Sequence, residues 1–70
     1  MLEILRDKAK SILRQSNAEY IGVMHRLILF RSRETGATLA LHIDKILDGG
    51  PVAVREHIRE SDARHRIAVL

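Results

Sequence analysis

His25, His42, His57 and His65 are the residues of this chain best suited to chemistry near neutral pH, with Asp44, Glu56 and Asp62 close to three of them. A zinc site needs three or four ligands converging at about 2.0–2.2 Å. On an extended segment His42 and Asp44 share one face, and His25 has the parity to join them. No two histidines stand four apart, however, so the HExxH arrangement of a helical metal site is missing. The four therefore read as surface or boundary side chains, and neither a metal nor a cofactor is expected.

Acid–base chemistry fares no better. Glu56 adjoins His57, and Asp62 precedes His65 by three residues, which on a helix makes a local contact worth a few tenths of a kcal/mol. Catalysis needs a cleft that excludes water and perturbs proton affinities, and one very small domain has little room for one. Gly49-Gly50 ahead of a helix resembles a phosphate cradle in outline. The GxGxxG and GxxxxGK spacings are nevertheless absent, and a helix stop explains the pair. The chain is read as non-enzymatic.

Arg26, Arg31 and Arg33 are the second candidate group. A two-stranded ribbon can enter a DNA groove, and arginine is the commonest reader of guanine. In an extended strand Arg31 and Arg33 lie on one face, whereas Arg26 has the opposite parity. Net charge is only +3, with acids close in sequence to most of the bases. Tyr20 and Phe30 are the sole aromatic residues, too few for a stacking platform on single strands.

Charge is unevenly distributed. Residues 1–18 carry +2 and residues 19–43 carry +1, residues 44–62 carry −2, and the remainder carries +2. Such bipolarity bears on partners rather than fold. It suits self-association or a protein partner at least as well as nucleic acid.

The elements that must position these residues read as follows. Leu2, Leu5, Ala9 and Ile12 recur at helical spacing, with Ile4 and Leu13 widening the stripe, and predict a helix over 2–15. Asn17 is suited to end it in the left-handed conformation. Residues 20–43 allow two readings. One is helical, with SNAE at 16–19 as a capping box. The other is a β-hairpin turning at Thr35-Gly36, pairing Arg33 with Thr38, Ser32 with Leu39, Phe30 with Leu41 and Ile28 with Ile43. That register gathers Ile28, Phe30, Leu39, Leu41 and Ile43 on one face. The β-branched and aromatic residues, and Gly22 inside any helix, favour the hairpin.

IDKIL reads as one short turn. DGGP at 48–51 then ends whatever precedes it, and Pro51 suits the first position of a helix over 51–62. The ending RIAVL alternates, with Ile67, Val69 and Leu70 apolar, and suggests a strand-like tail buried against a second copy.

A chain of 70 residues is one small domain, and such domains often need disulfides, a metal or a partner subunit. Cysteine is absent, which removes disulfides and fits a reducing, cytoplasmic setting. Charges throughout residues 3–14 exclude a signal-peptide core there, and YIGVMHRLILF is too short and too interrupted to span a membrane. The expectation is an α+β domain: an amphipathic helix, a hairpin, and a second helix after the Gly-Gly-Pro break. A small all-α bundle is the alternative. Functionally the expectation is a protein-interaction or accessory module acting as a homodimer or on another protein. A DNA-binding regulator using Arg26, Arg31 and Arg33 is the alternative.

Overall fold

The computed structural model describes the backbone of residues 2–69 and the side chains of residues 3–64. Helix α1 (Leu2–Gln15) is followed by strands β1 (Ala18–Met24), β2 (Leu27–Ser32) and β3 (Thr38–His42), then by helix α2 (Ile43–Val69). The strands form an antiparallel meander in the order β1-β2-β3. Both helices pack on one face of it. The α+β reading holds, with one more strand than the expected hairpin.

Helix α1 ends as its sequence predicts. Ser16 folds back, its N–H donating to the Ile12 carbonyl at 3.1 Å and its Oγ to the same carbonyl at 2.8 Å. Asn17 then adopts φ 58, and its N–H donates to the Arg14 carbonyl, the left-handed exit that Asn tolerates better than most residues. That exit turns the chain directly into β1.

The β1–β2 connection is a tight turn, with Met24 facing Leu27 and His25 at φ 58. The β2–β3 register departs from expectation by two residues. Arg31, not Arg33, faces Thr38; Phe30 faces Leu39, and Ile28 faces Leu41. Ser32 causes the shift by closing the loop itself. Its N–H donates to Ala37 O at 2.9 Å, its carbonyl accepts from Gly36 N at 2.8 Å, and its Oγ accepts from Thr35 N at 3.3 Å. Four residues, 33–36, thus make the turn instead of Thr35-Gly36 alone. Because side chains alternate with period two, a two-residue slip leaves the same residues facing the core.

Ile43 opens α2 rather than extending β3, and IDKIL is the first full stretch of that helix instead of an isolated turn. His42 Nδ1 accepts the Asp44 N–H at 3.2 Å, a capping role usually taken by Ser, Thr, Asn or Asp. The helix axis breaks at Gly50, whose φ of 64 and ψ of −154 are not helical, and Pro51 restarts it. A Cβ at Gly49 would collide with that of Ala53, so the pair serves both a turn and a close approach. After Pro51 no glycine or proline follows, and the helix runs on past residue 62 to Val69. The backbone at Ile67 and Val69 is therefore helical, not strand-like. Leu70, and the side chains of Ile67 and Val69, lie outside the described residues.

The core is Ala9 and Leu13 of α1, Ala18, Ile28, Phe30 and Leu41 of the sheet, and Ile46 and Val54 of α2. Phe30 is its largest side chain and is fully buried. The core is small, as the shortage of aromatics implies.

Candidate interaction surface

Alternation along the strands sends Ile28, Phe30 and Ser32 toward the helices, and Leu27, Leu29 and Arg31 to the opposite, helix-free face. The register then lays out three rows across that face. Met24, Leu27 and His42 form the first, Gly22, Leu29 and Ala40 the second, and Glu19, Arg31 and Thr38 the third. Met24 is 58% exposed and Leu27 43%, although both are large and apolar. In the middle row Leu29 stands between a glycine and an alanine, a ridge flanked by two shallow grooves. Glu19 and Arg31, of opposite charge, stand directly across from one another in the third.

A β-bulge at Ile21 makes this arrangement. Tyr20 faces Phe30 but Gly22 faces Leu29, so Ile21 is an extra residue on β1. Without it, parity would turn Gly22 and Met24 toward the helices and Val23 outward. With it, Met24 joins the open face and Val23 turns inward. Gly22 beside Ile21 is the local mark of a bulge, since an isolated glycine inside a strand often accompanies one, but the extra residue breaks the period of two and β1 escapes an alternation search.

Both edges of the sheet are blunted. Ser32 N–H bonds Ala37 O, so alternate residues of β3, Ala40 among them, aim their peptide groups outward. His57 of α2 reaches over that edge, and its Nε2–H donates to Ala40 O at 2.9 Å. On the other edge the Ile21 bulge interrupts the regular strand. The face, rather than either edge, is the surface left for a partner.

The arginines do not converge. Arg31 projects from the middle strand of the open face, whereas Arg33 lies in the β2–β3 loop and Arg26 in the β1–β2 turn. Six residues of β2 separate the two turns, about 20 Å of strand. Nor do the histidines. His42 Nδ1 stands 3.6 Å from Asp44 Oδ2, but His25 sits in the β1–β2 turn and His57 packs on Phe30 with ring centroids 6.3 Å apart. Glu56 is exposed, and His65 lies outside the described side chains. Among the described residues no three His, Asp or Glu side chains are grouped to hold a metal ion. Among the same residues no helix is long and apolar enough to cross a membrane.

Two of the surface clefts lie at opposite ends of the sheet. One, of about 470 Å³, lies between the end of α1, the β2–β3 loop and α2, where Arg55 and Arg59 are matched by Glu34 and Asp62. The other, of about 270 Å³, lies at the opposite end of the sheet and is bounded by the first turns of both helices and the β1–β2 turn. No protein-family model, curated protein or solved structure matches this chain. Function must be argued from the geometry alone.

Proposed function

We propose that this chain is a non-enzymatic protein-interaction module that self-associates through the helix-free face of its sheet. The observation that carries the reading is the pair Met24 and Leu27, large apolar side chains set opposite one another and left 58% and 43% exposed. Isolated exposed apolar residues are ordinary, but a contiguous group on a sheet face marks a contact surface.

A second copy of this chain is the occupant the face suits best. Leu29 between Gly22 and Ala40 is a ridge beside grooves, so two such faces related by a twofold axis in their plane interdigitate. The Glu19–Arg31 row brings both charges to the rim, where a second copy supplies the complementary pair. The small core adds a reason for a partner, since domains of this size seldom bury enough apolar surface alone. Nine residues on three short strands cover less than the roughly 800 Å² a side of a standard interface. A weak, concentration-dependent dimer in the micromolar range follows, rather than a permanent one.

Sedimentation equilibrium from low to high micromolar concentration tests this. The parent mass rises toward that of a dimer, and Leu29→Glu remains monomeric with an unchanged circular dichroism spectrum. A parent chain that stays monomeric throughout overturns the proposal.

A further inference from the structure

The cleft of about 270 Å³ at the β1–β2 end of the sheet has the make-up of a binding site for an apolar anion. Its apolar wall is Leu5 of α1, Val23 of β1, Ile28 of β2 and Ile43 of α2. Ile28 is fully buried and closes the bottom, while Leu5 and Val23 are 36% and 42% exposed at the sides. Val23 belongs to this wall only because the Ile21 bulge turns it inward. Its mouth carries Arg6, His25 and Arg26, with Asp44 as the one carboxylate.

Three observations give the mouth its character. Arg6 is half-buried, as expected where the stem lies along the apolar wall and the charged head stays at the mouth. Neither Arg6 nor Arg26 forms an ion pair among the described residues, so two guanidinium groups meet a single carboxylate, Asp44, at the mouth. His25 occupies a φ of 58 in a tight turn where Gly or Asn would be easier, so a bulky side chain is kept at the rim against the local backbone preference. The turn itself is fixed in place, because Ile43 N–H donates to the Arg26 carbonyl at 2.8 Å.

From this geometry we infer that the cleft binds a small amphiphilic monoanion, its hydrocarbon part against Leu5, Val23, Ile28 and Ile43 and its carboxylate between Arg6 and Arg26. Two guanidinium groups on adjacent elements suit a planar carboxylate, which accepts paired N–H donors from each. The cavity volume lies just below the usual range for small-molecule sites and limits the tail to a short or medium chain. Charge complementarity selects the head group: an alkyl ammonium would meet Arg6 and Arg26 with its own charge.

Octanoate, below its micelle concentration, is the probe, followed by amide shifts in two-dimensional NMR. Saturable shifts are expected at Val23, His25, Arg26, Ile28 and Ile43, with octylamine at least tenfold weaker. Arg6→Gln with Arg26→Gln weakens octanoate about tenfold while leaving the other resonances in place, and Leu5→Trp blocks binding by filling the cleft. Equal binding of octanoate and octylamine overturns the anion recognition, and linear, unsaturated shifts overturn the site. Leu29→Glu, on the opposite face, retains octanoate binding, so this inference and the proposed dimer fail separately.

Discussion

His57 and Ala40 are joined across 17 residues by a hydrogen bond of 2.9 Å from the imidazole Nε2–H to the peptide carbonyl. The carbonyl can only accept, so Nε2 carries a proton in this structure. One side chain thereby fastens the second half of α2 to the outer strand, covers a sheet edge that would otherwise be open, and lays its ring against Phe30. Replacing His57 with Phe should keep the ring contact and lose only the hydrogen bond, a destabilisation of about 0.5–1.5 kcal/mol. Alanine removes both and should lower stability further, by about another 1 kcal/mol. Urea unfolding of the two variants checks the order, and equal loss in both would show that the ring contact contributes nothing.

Phe30 itself is the largest buried side chain of the core among the described residues. Phe30→Ala should destabilise by about 3–5 kcal/mol, close to the whole stability of a domain this size. Phe30→Leu keeps most of the volume and should remain folded. Thermal melts followed by far-ultraviolet circular dichroism distinguish them.

The break in α2 yields a pair of opposed substitutions. Gly50→Ala places a Cβ at φ 64 and ψ −154, a region held almost wholly by glycine, and should destabilise by about 1–3 kcal/mol, with Gly50→Asn no milder because Asn tolerates the left-handed helical region and not this one. Gly49→Ala should be worse than Gly50→Ala, since its new Cβ meets Ala53 inside the helix–helix bend. If Gly49→Ala instead stabilises, the two halves of α2 are free to straighten.

Arg31 and Arg33 are exposed, and Arg31 faces Glu19 across the strands. Changing both to alanine should alter stability by less than about 0.5 kcal/mol. On the interaction reading, the parent chain shows no tight, strongly salt-dependent binding to duplex DNA at low ionic strength. Binding that falls steeply with added salt, and whose slope drops by about one unit per arginine removed, would instead favour the nucleic-acid alternative.

Much of the fold was legible in the residues. The stripe through Ala9 and Leu13, Asn17 as the helix exit, and the Gly-Gly-Pro break all act locally, and local chemistry is what a single sequence carries. The faces of β2 and β3 were also readable, because alternation survives a slip of two residues. The register was not, since it depends on three hydrogen bonds that Ser32 makes to its own loop. Strand β1 was hidden by one extra residue at Ile21, which breaks the period of two. The tail is helical rather than strand-like because Ile67 and Val69 alternate over too few residues to outweigh a helix that nothing after Pro51 interrupts. The open face depends on both the bulge and the register, so no search along the chain could assemble it.

The most direct measurement of the central claim is isotope-filtered NMR on a sample mixed from labelled and unlabelled chains at high micromolar concentration. Contacts between molecules are predicted among the methyl groups of Met24, Leu27 and Leu29, and none should involve Ala9, Leu13 or Val54. Intermolecular contacts confined to the helices, or no such contacts where sedimentation reports a dimer, would contradict self-association through the open face of the sheet.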